Sequence, residues 1–250
     1  MARTKSFTRR GRVIHASMQR TWDEHASDYL VEVRRDGGYT TVAPDFRFDP
    51  EEMFGRKAPL IIEIGTGNGE QIVSYAKAHP DVNMLGIEVW TQGIAKGISR
   101  AVDQGVTNVR FVEVDAAQAL PIMMPKECAL EVWTFFPDPW RKSRHHKRRL
   151  VSNKFAPTVA DLLIDGGVWR LATDWDNYAW QMRDVIEGSE FFENVHAGER
   201  PDPEDPEPER GGFAPRFSER VLTRFEERGR EEGRGAHDIV ARRIPRGESR

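Results

Sequence analysis

Cysteine is almost missing from this chain. Cys128 is the only one in 250 residues, so no disulfide can form within the molecule. It lies in ECALEVWTFF and reads as a small core residue. No apolar run approaches the roughly 20 residues that a membrane helix needs. The N-terminal stretch MARTKSFTRRGRV is basic and lacks the apolar region of a signal peptide. No internal repeat is visible, and no metal cluster: the seven histidines are scattered, and His145–His146 stand among cations that disfavour a metal ion. A disulfide scaffold and a membrane-spanning helix are thereby excluded. The cytoplasm is the expected compartment, with no membrane and no obligate protein partner.

What remains is a charged, aromatic-containing globular chain: 31% charged and 10% aromatic residues. Its length buries one sizeable core, expected as a single domain with an appendage. The net charge of -3 averages over strong local asymmetry. Residues 1–50 read as a basic, partly flexible extension. Arg3, Lys5, Arg9, Arg10 and Arg12 open it, SMQRTWDEHASDYLV follows with weak helical periodicity, and GGYTTVAPDFRFDPEEMF is loop-like. Residues 51–250 form the main domain, with an exposed loop over 199–212. That loop's ERPDPEDPEPER holds four prolines and six acids and is expected to be mobile.

From Pro59 onwards short apolar runs alternate with helical patterns. LIIEIG, VNMLGIEV, NVRFVEVD, ALEVWTFFP and GVWRLATD read as buried strands. EQIVSYAKAHP, TQGIAKGISRAVDQG, RRLVSNKFAPTVADLLIDGG (with Pro157 a bend or break) and WDNYAWQMRDVIEG read as helices. VLTRFEERGREEGRGAHDIVARRI is partly regular and highly charged. The alternation predicts an α/β fold, an open parallel sheet with helices on both faces.

The first strand runs into EIGTGNGE. Gly65, Gly67 and Gly69 make a tight turn into the helix and let a ligand approach the backbone. The dinucleotide fingerprint G-x-G-x-x-G is not met, and Glu70 at the helix start would repel a pyrophosphate. The loop therefore suits a nucleoside ligand without phosphates, such as S-adenosylmethionine; a plain strand-to-helix turn would need the same glycines. Glu63 lies inside the apolar strand, where a ligand ammonium or a structural ion pair would offset its charge. Glu88 ends the second strand, 23 residues after Gly65, where an acid accepts from both ribose hydroxyls. Asp115 ends the third strand and suits an adenine amino group, or the N-cap of the helix that starts at AAQAL.

FFPDPWRKSRHHKRRL holds the densest basic cluster. Asp138 is locked between Pro137 and Pro139 at the end of the fourth strand, a preorganised carboxylate. Trp140 suits stacking on a base. Arg141, Lys142, Arg144, Lys147, Arg148 and Arg149 suit phosphates. A proline-kinked turn before a solvated basic helix is the plainer alternative. Asp174 ends the fifth strand, with N-capping as its competing role. Thr223 and Glu226 have capping-box spacing.

With these motifs in their order, the chain resembles the bacterial tRNA (guanine-N7)-methyltransferase family. EIGTGNG, PDPWRKSRHHKRR, TDWDNYAWQM and TRFEERG carry the likeness from about residue 59 to 243, interrupted by the acidic loop. The resemblance implies a Rossmann-like, mostly parallel methyltransferase fold, S-adenosyl-L-methionine as cofactor and tRNA as partner. It implies methylation at N7 of the variable-loop guanosine, position 46. Carried onto matching positions, it implies that Glu63, Glu88, Asp115 and Asp138 contact the cofactor and that Asp138 is catalytic. It implies Lys142, Asp174, Thr223, Arg224, Phe225 and Glu226 for the substrate. Two other readings stay open on the residues alone: an amino-group (N6, N4 or N2) nucleic-acid methyltransferase, because DPW resembles a shortened Asp-Pro-Pro-aromatic motif, and a non-catalytic RNA-binding module. A nicotinamide oxidoreductase is disfavoured by the glycine spacing and by Glu70.

Overall fold

The computed structural model describes residues 5–7 and 11–247, apart from the side chains of Arg224 and Phe225. Arg3, Arg9 and Arg10 of the expected basic arm lie outside the described residues. Among the described residues, seven strands numbered in chain order form one sheet in the order β3-β2-β1-β4-β5-β7-β6. The chain divides into two compact units, Arg9–Leu130 and the remainder with Met1–Thr8 and Glu131–Arg250.

In the first unit, helix α1 (Ala16–Tyr29) packs on α4 (Thr91–Gln104). A short helix α2 (Pro50–Phe54) arises where a loop is expected from the sequence. Asp49 caps it, accepting from Glu51 N at 2.9 Å and Glu52 N at 3.2 Å, and Pro50 supplies a fixed φ at its first turn. Strands β1 (Leu60–Ile64), β2 (Asn83–Glu88) and β3 (Val109–Glu113) pair in parallel and are buried almost throughout, as their mostly apolar sequences require. Helix α3 (Glu70–Ala78) follows the glycine loop, and α5 (Ala116–Met123) follows β3. Helix α4 stops on Gly105 at φ 64°, the left-handed cap that glycine adopts without penalty.

In the second unit, β4 (Ala129–Phe135) leads into the PDPW turn and a single 3-10 segment, Ser143–Arg148. The helix expected to run through RRLVSNKFAPTVADLLIDGG is confined to α6 (Ala156–Leu162), and its IDGG end belongs to the strand that follows. Pro157 lies in its first turn: it starts the helix instead of bending one, because its missing N–H has no partner there anyway. Strand β5 (Leu163–Thr173) and helix α7 (Asp176–Glu187) follow. The charged C-terminal segment resolves into α8 (Arg224–Glu231) and β7 (His237–Arg243). β7 pairs antiparallel with both β5 and β6 (Phe192–Asn194), so the sheet is mostly, not wholly, parallel. Among the described residues no helix is long and apolar enough to cross a membrane. Cys128 is half-buried, and burial pushes its thiol up to about 12.

Candidate active site

The first unit brings four acids to the carboxyl ends of three adjacent strands. Glu63 pairs in register with Gly86, and Glu88 lies two residues further along β2, so period-two alternation puts both carboxylates on one face. Glu63 is 4% exposed, and its Oε2 is buried without a hydrogen-bond partner. Burial first, and then the charge of Glu88, push its pKa up to about 8. Glu88 is held by backbone donors: Gly67 N at 2.8 Å, Val89 N at 2.7 Å and Trp90 N at 3.1 Å. Glu113, its register neighbour on β3, is paired with Arg12 at 3.3 Å and Arg35 at 3.9 Å. Two arginines of the N-terminal segment thus offset the like-charge crowding at this edge. Asp115 is the N-cap of α5, accepting from Ala117 N at 3.2 Å and from the Gln118 side chain.

Gly65, Gly67 and Gly69 take φ of +83°, +55° and +71°. A methyl group on Gly69 would stand 2.6 Å from the Gly97 Cα of α4, so this turn also sets the close packing of α3 on α4. A methyl on Gly65 or Gly67 would meet no atom within 4 Å, which leaves that side of the loop open. Thr66 Oγ1 and Asn68 Oδ1, between these glycines, are likewise buried without partners. Three unsatisfied polar atoms at one strand end are costly unless a polar ligand answers them. An unpaired acid and two neutral oxygens beside an open glycine loop fit a ligand bearing an ammonium group and hydroxyls. They do not fit a pyrophosphate.

The second unit presents the PDPW turn. Phe136 and Trp140 both adopt left-handed backbone, φ 49° and 46°, on either side of Pro137–Asp138–Pro139. Bulky residues occupy this region only when their surroundings force them to, and such strain clusters at functional sites. The turn is tied at several points. Phe136 N donates to Ala172 O at 2.8 Å, Arg149 Nε donates to Pro139 O at 2.9 Å, and Trp140 Nε1 donates to Ser6 O at 3.0 Å. Asp138 itself is exposed. The Trp140 face expected for a base carries the Arg148 guanidinium at 4.2 Å. Arg141, Lys142, Arg144 and Lys147 stand exposed on and beside the 3-10 segment. Desolvation first, and then the charges of Arg144, Arg148, Lys142 and Lys147, hold the His145 imidazole below its usual range. Arg149 does not belong with them: it is 4% exposed and turned inward.

Asp174 does not cap α7, whose cap residue is Trp175; its carboxylate takes Arg234 Nε at 2.8 Å. Thr223 caps α8, accepting from Glu226 N at 3.3 Å. The side chains of Arg224 and Phe225 lie outside the described residues. Glu226 is 1% exposed, and its carboxylate meets Arg216 at 2.8 and 3.0 Å, Arg220 at 3.4 Å and Arg230 at 3.2 Å. Burial alone would raise its pKa; the hydrogen bonds and charges of Arg216 and Arg220 outweigh it and hold the group below the usual range. A cavity of about 1070 Å³ opens here, with Asp174, Trp175, Trp180, Arg216, Arg234 and His237 in its lining. The acidic loop borders it and is fastened in place. Asp202 meets His237 Nδ1 at 3.0 Å, Glu207 pairs with buried Arg183, and Arg210 reaches Asp184 at 2.6 Å. Arg149, Arg216 and His237 carry no local signal in the sequence, because their side-chain partners lie 10 to 61 residues away.

An open, mostly parallel sheet with a glycine loop after its first strand and acids at its strand ends is the Rossmann-like methyltransferase fold. The same fold is seen in the 16S rRNA (adenine(1408)-N(1))-methyltransferase from Catenulisporales acidiphilia, at TM-score 0.53 and 13% identity, over 86% of this chain and all of that one. A family described as "Putative methyltransferase" matches residues 57–239. A tRNA (guanine-N(7)-)-methyltransferase of Paenarthrobacter aurescens (strain TC1) is 42% identical over 96% of this chain and 92% of its own length. One from Arthrobacter sp. (strain FB24) is 41% identical over 97% and 87%. The chain belongs to the tRNA (guanine-N(7)-)-methyltransferase family.

Proposed function

We propose that this protein transfers a methyl group from S-adenosyl-L-methionine to N7 of the variable-loop guanosine, position 46, of tRNA, in the cytoplasm. The relatives' names supply the reaction. The observation that carries it onto this chain is the strained turn that presents Asp138 beside an exposed cationic surface.

Guanine N7 has a lone pair and no proton, so the step needs no general base. When bound, S-adenosylmethionine supplies an electrophilic methyl on a sulfonium. The protein's task is alignment, which contributes on the order of 7–11 kcal/mol in favourable cases. Glu63 takes the ammonium of the methionine moiety, with Gly65, Gly67 and Gly69 bringing the backbone close. Glu88 accepts from the ribose, and Asp115 serves the adenine end. Asp138 accepts from guanine N1–H and N2–H, selects guanine over adenine, and offsets the positive charge that the base acquires. Lys142 contacts phosphate, while Asp174, Thr223, Arg224, Phe225 and Glu226 shape the acceptor side. The buried setting of Glu226 points to positioning of Arg216, itself in the cavity lining.

The test combines labelled S-adenosylmethionine, the full chain and unmodified tRNA, followed by reduction and aniline cleavage. A single cut in the variable loop supports the reading. Label transfer without a cut moves the acceptor to an amino group, and no transfer with tight tRNA binding leaves an RNA-binding module. For Lys142→Ala, tRNA binding should weaken uniformly across sequences and the salt slope should fall by about 1. An unchanged slope in a salt titration removes Lys142 from the phosphate contacts.

A further inference from the structure

Arg149 stands among cations in sequence but apart from them in space. Its guanidinium sits under the PDPW turn and spends its donors on neutral oxygens from two directions. Nε reaches Pro139 O at 2.9 Å. Nη1 reaches Gln181 Oε1 at 2.8 Å and Asn177 O at 3.3 Å, and Nη2 reaches Asn177 Oδ1 at 2.9 Å. The same group lies 4.7 Å from the centre of the Tyr178 ring. Tyr178 is fully buried, and its hydroxyl accepts from Val151 N at 3.0 Å. Gln181 in turn donates to Val151 O at 2.9 Å. One planar fork therefore ties the carbonyl next to Asp138 to the first two turns of α7. A lysine has the charge but not the fork, so it could satisfy only part of this set.

We infer that Arg149 is the positioning residue of Asp138: its guanidinium clamps Pro139 to α7 and so holds the carboxylate at the place where guanine is read. This rests on the methyl-transfer reading above. Two further observations support it. The turn is strained at both ends, at Phe136 and Trp140, and strained backbone persists only when neighbouring contacts over-determine it. Arg149 is also too buried to meet a phosphate, so its charge does not serve RNA binding directly. The argument is one of geometry: a displacement of about 1 Å at a reacting centre can cost about 10²-fold in rate.

The experiment compares wild type, Arg149→Lys, Arg149→Ala and Asn177→Ala. It measures S-adenosylmethionine affinity by calorimetry, tRNA affinity, and single-turnover methylation with both substrates saturating. The expected result for Arg149→Ala is a loss of about 10²-fold in the single-turnover rate, with both affinities nearly unchanged. Millimolar guanidinium ion should restore part of that rate, and ammonium ion should not. Arg149→Lys should stay well below wild type. A rate within threefold of wild type, a loss that follows tRNA affinity instead, or no response to guanidinium overturns the proposal. If Arg149→Ala does not fold, Asn177→Ala decides: it removes one acceptor at an exposed position, and an unchanged rate there overturns the clamp. Wild type that gives no aniline-sensitive site overturns the methyl-transfer reading and the clamp together. Active wild type with fully active variants overturns the clamp alone.

Discussion

Asp138→Asn is expected to lower single-turnover methylation of tRNA by roughly 10²–10³-fold, the usual cost of removing one electrostatic contact to a transition state. The substitution keeps the shape of the side chain. It replaces an acceptor pair by one acceptor and one donor, and that donor would face the N–H edge of guanine. It also removes the charge that offsets the developing cation. Stability should change little, because Asp138 is exposed on a turn held by its neighbours' backbone bonds. Selectivity should fall with the rate, since discrimination against adenine depends on the same donor pair. Rapid-quench assays on tRNA with guanosine or adenosine at the target position check both. Full rate together with intact guanine preference would remove Asp138 from base recognition.

The affinity for S-adenosylmethionine should peak near pH 8 and fall about tenfold per pH unit on the acid side. The Glu63 carboxyl titrates at about 8 in the free protein, pushed there by burial and by Glu88. The ligand's α-amino group titrates at about 7.7–8.0. The bound form pairs carboxylate with ammonium. Below pH 8 a proton must leave Glu63 on binding, and above it one must be taken up by the amine, so affinity declines on both sides. Calorimetry in buffers of different ionisation enthalpy should show release of about one proton at pH 6. Glu63→Gln should abolish the acid limb and weaken binding by an amount in the range of about 2–5 kcal/mol seen when a buried charge pair loses one partner.

The same group makes a prediction about stability. Its folded pKa lies above its unfolded value, so the folded state holds a proton that the unfolded state releases. The contribution of Glu63 to the stability of the free protein therefore falls as pH rises from about 4.5 to about 8, and levels off beyond. Glu63→Gln should raise the melting temperature of the free protein at pH 8 but not at pH 4. The opposite signs for stability and ligand binding at one residue are what a functional acid in an apolar strand entails.

Much of this was legible one element at a time. β1, β2 and β3 are mostly apolar because both faces of a central parallel strand are covered, and α4 ends where Gly105 takes the left-handed cap. The glycine loop could be told from a dinucleotide site by spacing and by Glu70 alone. The segment before α6 misled, because Pro157 reads as a breaker until it is known to stand in a first turn. β6 is three residues long and carries no periodicity that would reveal it, and β7 hides its alternation among charges.

The candidate site divides in the same way. Its acids and glycines stand at or just beyond strand ends, and strand ends are set by local pattern, so the placement of Glu63, Glu88, Asp115 and Asp138 was legible in the chain itself. Arg149 was not, because a cation among cations gives no local sign that it turns inward. Glu226 has the spacing of a capping box, yet its carboxylate goes to Arg216, Arg220 and Arg230. The acidic loop reads as free chain by composition, while Asp202 and Glu207 are tied to His237 and Arg183. The sequence by itself determined the alternation of strands and helices and the chemistry offered at strand ends, because both follow from side-chain periodicity and from the backbone freedom of glycine and proline. The tertiary structure decided which charges are buried and with whom they pair, because burial and pairing depend on residues distant in the chain, whose meeting no local pattern records.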